Sequence, residues 1–226
     1  MTTLFLHAFP FDPRMWSELP DGAEAPLLYD LGETIDEWAD AILERYAGPL
    51  TLVGASMGGY VAYAIAAKAP ERVRGLLTEG SRGQADPPGA RRRRDENVEV
   101  VRTQGLDALW ERLRPFAFSE HADRDVLARA RARALEQDPE HVVRALEAMR
   151  DRRDTTDAIK ELDPPPWIVL GELDQLARPG DFAGILDPEH LRVVPGCGHV
   201  PSLEQPRAFA PLLEEFLAWT TSPQTS

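Results

Sequence analysis

The amino-acid sequence predicts an α/β fold in which a mostly parallel sheet of about six strands is flanked by helices. Short apolar runs recur along the chain, and most of the stretches between them are long enough for a helix. This alternation requires right-handed crossovers, so neighbouring strands run parallel. One long segment without such runs interrupts the alternation and indicates an insertion. The expected strands are residues 4–6, 27–29, 50–53, 73–77, 167–170 and 191–194.

Two segments have the apolar spacing of helices that pack on a sheet. Residues 34–46 begin with a capping-box pattern, because Thr34 is followed three residues later by Glu37. The apolar face of this helix comprises Ile35, Trp38, Ala39, Ile42 and Tyr46. A second helix is predicted behind Pro206, with an apolar face made by Phe209, Leu212, Leu213, Phe216 and Leu217.

Residues 82–160 are predicted to form a helical cap inserted into an α/β core made by residues 1–81 and 161–226. The insertion opens with a stretch rich in glycine and proline, contains no strand-like run, and ends just before the three prolines at 164–166. Three helical patterns lie inside it, at 106–113, 126–134 and 142–149.

Charge is divided unequally between these two parts. The chain has a net charge of −13, whereas the insertion contains 17 basic and 16 acidic residues and is nearly neutral. An arginine-rich lid would favour anionic substrates. Solvated helices with intrahelical ion pairs would give the same composition, and we prefer that interpretation. The acidic body argues against binding to nucleic acid or to an anionic membrane surface, because both carry negative charge.

The remaining composition predicts a cytoplasmic protein without a cofactor or a metal. The single cysteine, Cys197, cannot form an internal disulfide and provides no pair of metal ligands. The N-terminal segment has no basic start, and His7 and Pro10 interrupt its apolar run. No stretch approaches the roughly 18 apolar residues of a membrane span. A small-molecule substrate is therefore the expected partner, and the sequence does not indicate an oligomeric state.

The pentapeptide 54–58, Gly-Ala-Ser-Met-Gly, has the pattern of a nucleophile elbow with Ser56 at its apex. A serine held on so tight a turn needs neighbours without bulky side chains, and Gly54 and Gly58 provide that room. The pattern G-x-S-x-G also occurs by chance in glycine-containing loops. Here an apolar run precedes it and an alanine-rich stretch follows it, so the required order of strand, turn and helix is present.

A serine hydroxyl is a weak nucleophile, so catalysis requires a base and a carboxylate that orients the base. Asp174 follows the apolar run 167–170, and His199 follows the run 191–194. Both residues are thus expected in loops at the carboxyl ends of strands. The resulting order of serine, acid and histidine is the one that accompanies such an elbow. The other histidines, His121, His141 and His190, are interpreted as surface residues.

Four separated motifs carry a resemblance to the α/β-hydrolase superfamily, in particular to its small esterases, lactonases and cofactor-free haloperoxidases. Their order and spacing along nearly the whole chain are those of the family. They are His7-Ala8-Phe9-Pro10, the elbow at 54–59, Gly171-Glu172-Leu173-Asp174, and Gly198-His199-Val200-Pro201 with Glu204 and Pro206 behind it.

The resemblance implies a role for each site residue. Ser56 would be the nucleophile, His199 the general base and then acid, and Asp174 its orienting carboxylate. The backbone N–H groups of Phe9 and Met57 would form the oxyanion hole. Some family members carry the acid on an earlier strand, which makes Glu79 an alternative to Asp174, although we favour Asp174.

The sequence departs from the family pattern at two places, and the resemblance gives His7 a supporting role. Ala8 occupies a position where many relatives have glycine. The family usually has two strands before the first one found here, so either the sheet is smaller or the sequence starts after them. His7 is expected to support the oxyanion loop by hydrogen bonding.

The predicted activity is hydrolysis of a small carboxylic ester or lactone through an acyl-enzyme. The same residues would also allow hydrolysis of an amide or a carbon–carbon bond, or peracid formation of the haloperoxidase type. A ligand sensor with little turnover is the alternative from another class. The pocket-lining candidates are Phe11, Trp16, Trp110 and Val200.

Overall fold

Five parallel strands form one sheet in the computed structural model, which describes residues 1–16 and 18–222. Their spatial order equals their order along the chain, so each crossover joins neighbouring strands. The strands are β1 (Thr2–Leu6), β2 (Leu50–Ala55), β3 (Val73–Glu79), β4 (Trp167–Gly171) and β5 (Leu191–Val194).

The prediction of a sixth strand at residues 27–29 is wrong. Part of this segment forms a 3-10 helix, Leu28–Asp30. The chain runs beside β1 only briefly, where Glu24 makes an isolated parallel bridge with Leu4. Pro26 has no N–H to continue a ladder, and the N–H of Leu28 donates to the His7 ring instead. An apolar run of only three residues does not show whether the segment forms a strand or a 3-10 turn.

Eight helices accompany the sheet in the described part of the chain. They are α1 (Ile35–Arg45), α2 (Met57–Lys68), α3 (Pro88–Ala117), α4 (Arg124–Leu135), α5 (Pro139–Asp151), α6 (Thr156–Glu161), α7 (Pro201–Glu204) and α8 (Pro206–Thr221). The capping box of α1 is present, since Thr34 and Glu37 exchange side-chain hydrogen bonds with each other's N–H groups. Among the described residues, no helix combines the length and the apolarity needed to cross a membrane.

Both faces of the sheet are buried, and alternate strand residues contribute to two different apolar clusters. Leu52 and Leu76 pack with residues of α1 and α2, whereas Val53 and Leu77 pack with Phe209 and Phe216 of α8. A parallel sheet covered on both faces is expected to have such continuous apolar strands. The loops at the carboxyl ends of the strands all lie at one edge of the sheet, which is where ligands bind in α/β folds.

Helices α3 to α6 lie between β3 and β4, in the segment interpreted as an insertion. The backbone of α3 breaks at Gly105, whose φ of +84° is not helical. Asp86 and Arg152 form a buried ion pair of 2.6 Å near the two ends of the segment. The Arg152 guanidinium also lies 4.0 Å from the ring centre of Tyr60 on α2. These contacts hold the segment against the sheet-covering helix that follows Ser56.

Candidate active site

Ser56 lies at the junction of β2 and α2 with a backbone conformation that few residues adopt. Its φ is +46° and its ψ is −105°, and it is the only non-glycine residue with positive φ in the described ranges 1–16 and 18–222. Such a conformation costs of order 1–3 kcal/mol and persists only where surrounding contacts hold it. The Ser56 N–H donates to the Glu79 carbonyl at 2.8 Å, and the Ser81 hydroxyl donates to the Ser56 carbonyl at 2.8 Å.

The glycines of the elbow are required by close backbone approach. A Cβ atom at Gly58 would lie 2.0 Å from the carbonyl oxygen of Leu6, and one at Gly54 would lie 2.7 Å from the carbonyl oxygen of Gly58. Both distances are far below van der Waals contact. Strand β1, the elbow and the first turn of α2 therefore pack so closely that only glycine fits at these two positions.

The three residues predicted to act together are joined by hydrogen bonds. His199 Nε2 lies 2.8 Å from Ser56 Oγ, and His199 Nδ1 lies 2.8 Å from Asp174 Oδ2. All three residues are at most 9% exposed. The hydroxyl, imidazole and carboxylate thus form a continuous chain at the carboxyl edge of the sheet.

The surroundings of Asp174 favour its ionised form. Burial alone would raise the pKa of this carboxyl, but the nearby His199 charge and hydrogen bonds outweigh burial and hold the pKa below its ordinary value. Oδ1 accepts from the N–H groups of Leu176 at 2.7 Å and Ala177 at 3.1 Å. Because Oδ1 is held by the backbone, Oδ2 is directed at the imidazole.

Glu79, the alternative acid, has a different partner. Its carboxylate accepts the N–H of Ser202 at 2.7 Å and also the Ser202 hydroxyl. Burial raises the pKa of Glu79 to about 7, although the Ser202 hydrogen bonds and His199 act in the opposite direction. The structure therefore brings Asp174 to the imidazole, and Glu79 holds the segment just after His199.

The loop after β1 contains His7 and Phe9. The His7 Nε2 accepts the N–H of Leu28 at 3.0 Å, which leaves the ring proton on Nδ1, 3.2 Å from the Ala8 carbonyl. Burial lowers the pKa of His7 to about 4, so the ring is neutral at physiological pH. Within the described residues, the N–H groups of Phe9 and Met57 donate no hydrogen bond. They are free to meet a ligand oxygen.

The pocket-lining candidates are all buried in one apolar cluster, which also contains Ala8 and Phe118. They are Phe11, Trp16, Trp110 and Val200. Their assignment to a substrate pocket stays a prediction. The other histidines lie outside the site, each beside a surface carboxylate: His121 near Glu120, His141 near Asp30 and His190 near Glu189.

Sequence reasoning missed the polar side chains that hold residues 195–200, the His199 loop between β5 and α7. Glu204 belonged to a recognised motif but was given no role, and Ser119 and Ser202 showed no signal. The signal available in the sequence was a glutamate three residues after Pro201, in a helix-start pattern that follows His199. In the part of the chain that the structure describes, no cluster of three or more His, Cys, Asp or Glu side chains is arranged to hold a metal ion.

The chain belongs to the alpha/beta hydrolase family, whose sequence model matches residues 3–212. It is an enzyme of this hydrolase class, in agreement with its fold and with the relatives described next.

Two relatives and one solved structure are similar to most of the chain. A putative 2-succinyl-6-hydroxy-2,4-cyclohexadiene-1-carboxylate synthase of Bacillus subtilis is 26% identical over 94% of this chain and 88% of its own length. A pimeloyl-[acyl-carrier protein] methyl ester esterase of Yersinia enterocolitica is 28% identical over 81% of this chain and 75% of its own length. A thermophilic esterase from Thermogutta terrifontis superposes with a TM-score of 0.86 and 29% identity, covering 98% of this chain and 91% of that protein.

Proposed function

We propose that this enzyme is a serine hydrolase that cleaves a small carboxylic ester through an acyl-enzyme. The observation that carries the proposal is the hydrogen-bonded chain from Asp174 through His199 to Ser56, with 2.8 Å at each step. This is the arrangement that activates a serine hydroxyl, because the imidazole can accept its proton while the carboxylate stabilises the resulting imidazolium.

The reaction begins when Ser56 Oγ attacks the ester carbonyl and its proton passes to His199 Nε2. The carbonyl oxygen becomes negative and accepts hydrogen bonds from the N–H groups of Met57 and Phe9. The tetrahedral intermediate then collapses, and the alcohol leaves with the proton from His199. A water molecule attacks the acyl-enzyme, with His199 again as base, and releases the carboxylic acid and free Ser56.

The ester class is supported by the activities of two similar proteins, an esterase and a methyl ester esterase. The proposed core is residues 1–81 and 161–226, and the helical insertion at 82–160 is proposed as a cap that forms one wall of the substrate pocket. Lactones fit the same chemistry, since ring opening is also acyl transfer to Ser56.

The test combines turnover with covalent labelling. We expect hydrolysis of a series of p-nitrophenyl esters and stoichiometric modification of Ser56 by a fluorophosphonate probe, located by peptide mass spectrometry. The Ser56→Ala variant should lose both while remaining folded. Absence of turnover and of labelling in the wild-type protein would refute the proposal. Labelling with turnover of only amide, diketone or peracid-forming substrates would replace the ester assignment with one of those reactions.

A further inference from the structure

The loop that carries His199 is bonded directly to the inserted helices. The backbone N–H of His199 donates to the carbonyl of Ala117 at 3.1 Å, and Ala117 is the last residue of α3. The position of the imidazole therefore depends on where α3 ends. This contact joins two parts of the chain that are more than 80 residues apart in sequence.

Glu204 reinforces this junction from the other side. Its Oε2 accepts the N–H of Gly198 at 3.1 Å and the N–H of Ser119 at 3.0 Å, and its Oε1 accepts the Ser119 hydroxyl. One carboxylate thus joins the residue before His199 to the segment that follows α3. We call this set of three hydrogen bonds the Glu204 bridge.

The two joined segments are also in close contact. A Cβ atom at Gly198 would lie 2.6 Å from the Ser119 nitrogen and 2.7 Å from Glu204 Oε2. No side chain separates the loop from the insertion, so a displacement of residues 117–119 must be transmitted to the loop. Glu204 is only 6% exposed. Without its carboxylate, two N–H groups in this buried contact would lack a partner, which is a costly arrangement that favours movement of the loop.

We propose that Glu204 is a positioning residue for the hydrolysis proposed above, on which this inference rests. Its bridge sets the distance between the His199 imidazole and Ser56 by holding the His199 loop against the insertion. Glu204 makes no hydrogen bond with the side chain of Ser56, Asp174 or His199 in the described structure. Glu204 therefore acts by orienting the His199 imidazole. Through the bridge, the position of the insertion affects how well His199 can take the proton of Ser56.

The experiment compares Glu204→Ala, Glu204→Gln and Ser119→Ala with a matched control. The control is Glu37→Ala, since Glu37 is also a carboxylate that accepts two backbone N–H groups, at 2.7 and 3.1 Å, but it is an exposed side chain in the first turn of α1. For each variant, the final extent of fluorophosphonate labelling gives the fraction of folded sites. The labelling rate constant and kcat per labelled site report how well His199 activates Ser56. KM and the melting temperature are measured in parallel.

We expect Glu204→Ala to lower kcat and the labelling rate constant by about 100-fold, with KM changed less than about 3-fold, because a displacement of about 1 Å has an effect of that size on rate. Glu204→Gln should restore both to within about 3-fold of wild type, since the amide oxygen accepts the same two N–H groups. Ser119→Ala should lower both about 3- to 10-fold. Glu37→Ala should lower the melting temperature and leave both rates per site unchanged.

A Glu204→Ala protein with a lower melting temperature but wild-type rates per labelled site would overturn the inference, as would a Glu204→Gln protein as slow as Glu204→Ala. If Glu204→Ala yields no folded protein, the Ser119→Ala variant is the test. Wild-type kcat and labelling rate in that variant would overturn the inference. An inactive, unlabelled wild-type enzyme would instead refute the proposed serine hydrolase activity.

Discussion

The proposed nucleophile, Ser56, and the proposed base, His199, are held in place by different means. The elbow around Ser56 is built from consecutive residues, and glycines at 54 and 58 allow its close packing against β1. The His199 loop is bonded to the distant segment at the end of α3, through the Ala117 carbonyl and through Glu204, a near neighbour of His199 that reaches Ser119. The distant Glu79 carboxylate, at the end of β3, holds Ser202 just after the loop. The turn that carries Ser56 is therefore specified mainly by neighbouring residues, with further support from β1 and β3, whereas the position of His199 depends mainly on the assembled fold.

The largest expected effect follows from removing either end of the Ser56–His199 pair. We expect Ser56→Ala and His199→Ala each to lower kcat by about 10⁴- to 10⁶-fold, and the double variant to be no slower than the worse single variant, because the two act as one unit. Steady-state kinetics on a p-nitrophenyl ester measures this. Independent, multiplicative losses would show that the two residues do not act on the same proton.

A second prediction tests the packing of the elbow around Ser56. Gly58→Ala should destabilise the protein by about 3 kcal/mol or more and abolish labelling of Ser56, because its Cβ would lie 2.0 Å from the Leu6 carbonyl oxygen. Urea unfolding and fluorophosphonate labelling measure the two effects. Gly180→Ala is the matched control, since a Cβ there meets nothing within 4 Å. Equal unfolding free energies and equal labelling of the two variants would contradict the tight packing of the elbow.

A third prediction concerns the stability cost of burying Glu79. Because burial raises the pKa of Glu79 from 4.5 to about 7, the folded protein holds a proton that the unfolded chain has released between these pH values. Stability is therefore lost as pH rises from about 4.5 to 7, and the loss is complete above pH 7. Glu79→Gln removes this pH dependence and can still bond Ser202.

The free energy of unfolding of Glu79→Gln, relative to wild type, should accordingly rise by up to about 3 kcal/mol between pH 5 and pH 8. Urea unfolding of both proteins at the two pH values measures this difference. A difference that is the same at pH 5 and pH 8 would mean that Glu79 is not the source of a pH-dependent cost.

The smallest expected effect comes from the hydroxyl of Ser202, on α7 just after the His199 loop. Ser202→Ala removes the hydroxyl contact with Glu79 but keeps the N–H contact of 2.7 Å. We expect a loss of about 1 kcal/mol in unfolding free energy and a decrease of only about 3-fold in kcat. Ser222→Ala, which removes an exposed hydroxyl that donates to the Ala218 carbonyl, is the control. A Ser202→Ala protein indistinguishable from this control would show that Glu79 holds the loop through the backbone alone.

Local patterns determined much of this protein in advance. The parallel α/β arrangement and family membership are confirmed, and the α1 capping box formed as its two residues predict. These features depend on residues close together in sequence, where spacing and side-chain chemistry act within one turn or one strand. The strand expected at 27–29 is wrong because Pro26 and the His7 ring remove the donors that a ladder needs.

Only the tertiary structure decided which carboxylate meets His199. The motif at 171–174 favours Asp174, but Asp174 and Glu79 both follow apolar runs, and the packed elements decide which one reaches the imidazole and which one reaches Ser202. The same holds for Glu204 and Ser119, which lie 85 residues apart in sequence and share a hydrogen bond. A residue's type and its local spacing determine what it can bond to, but the partner of a buried polar group is whichever complementary group the packed elements bring within about 3 Å of it.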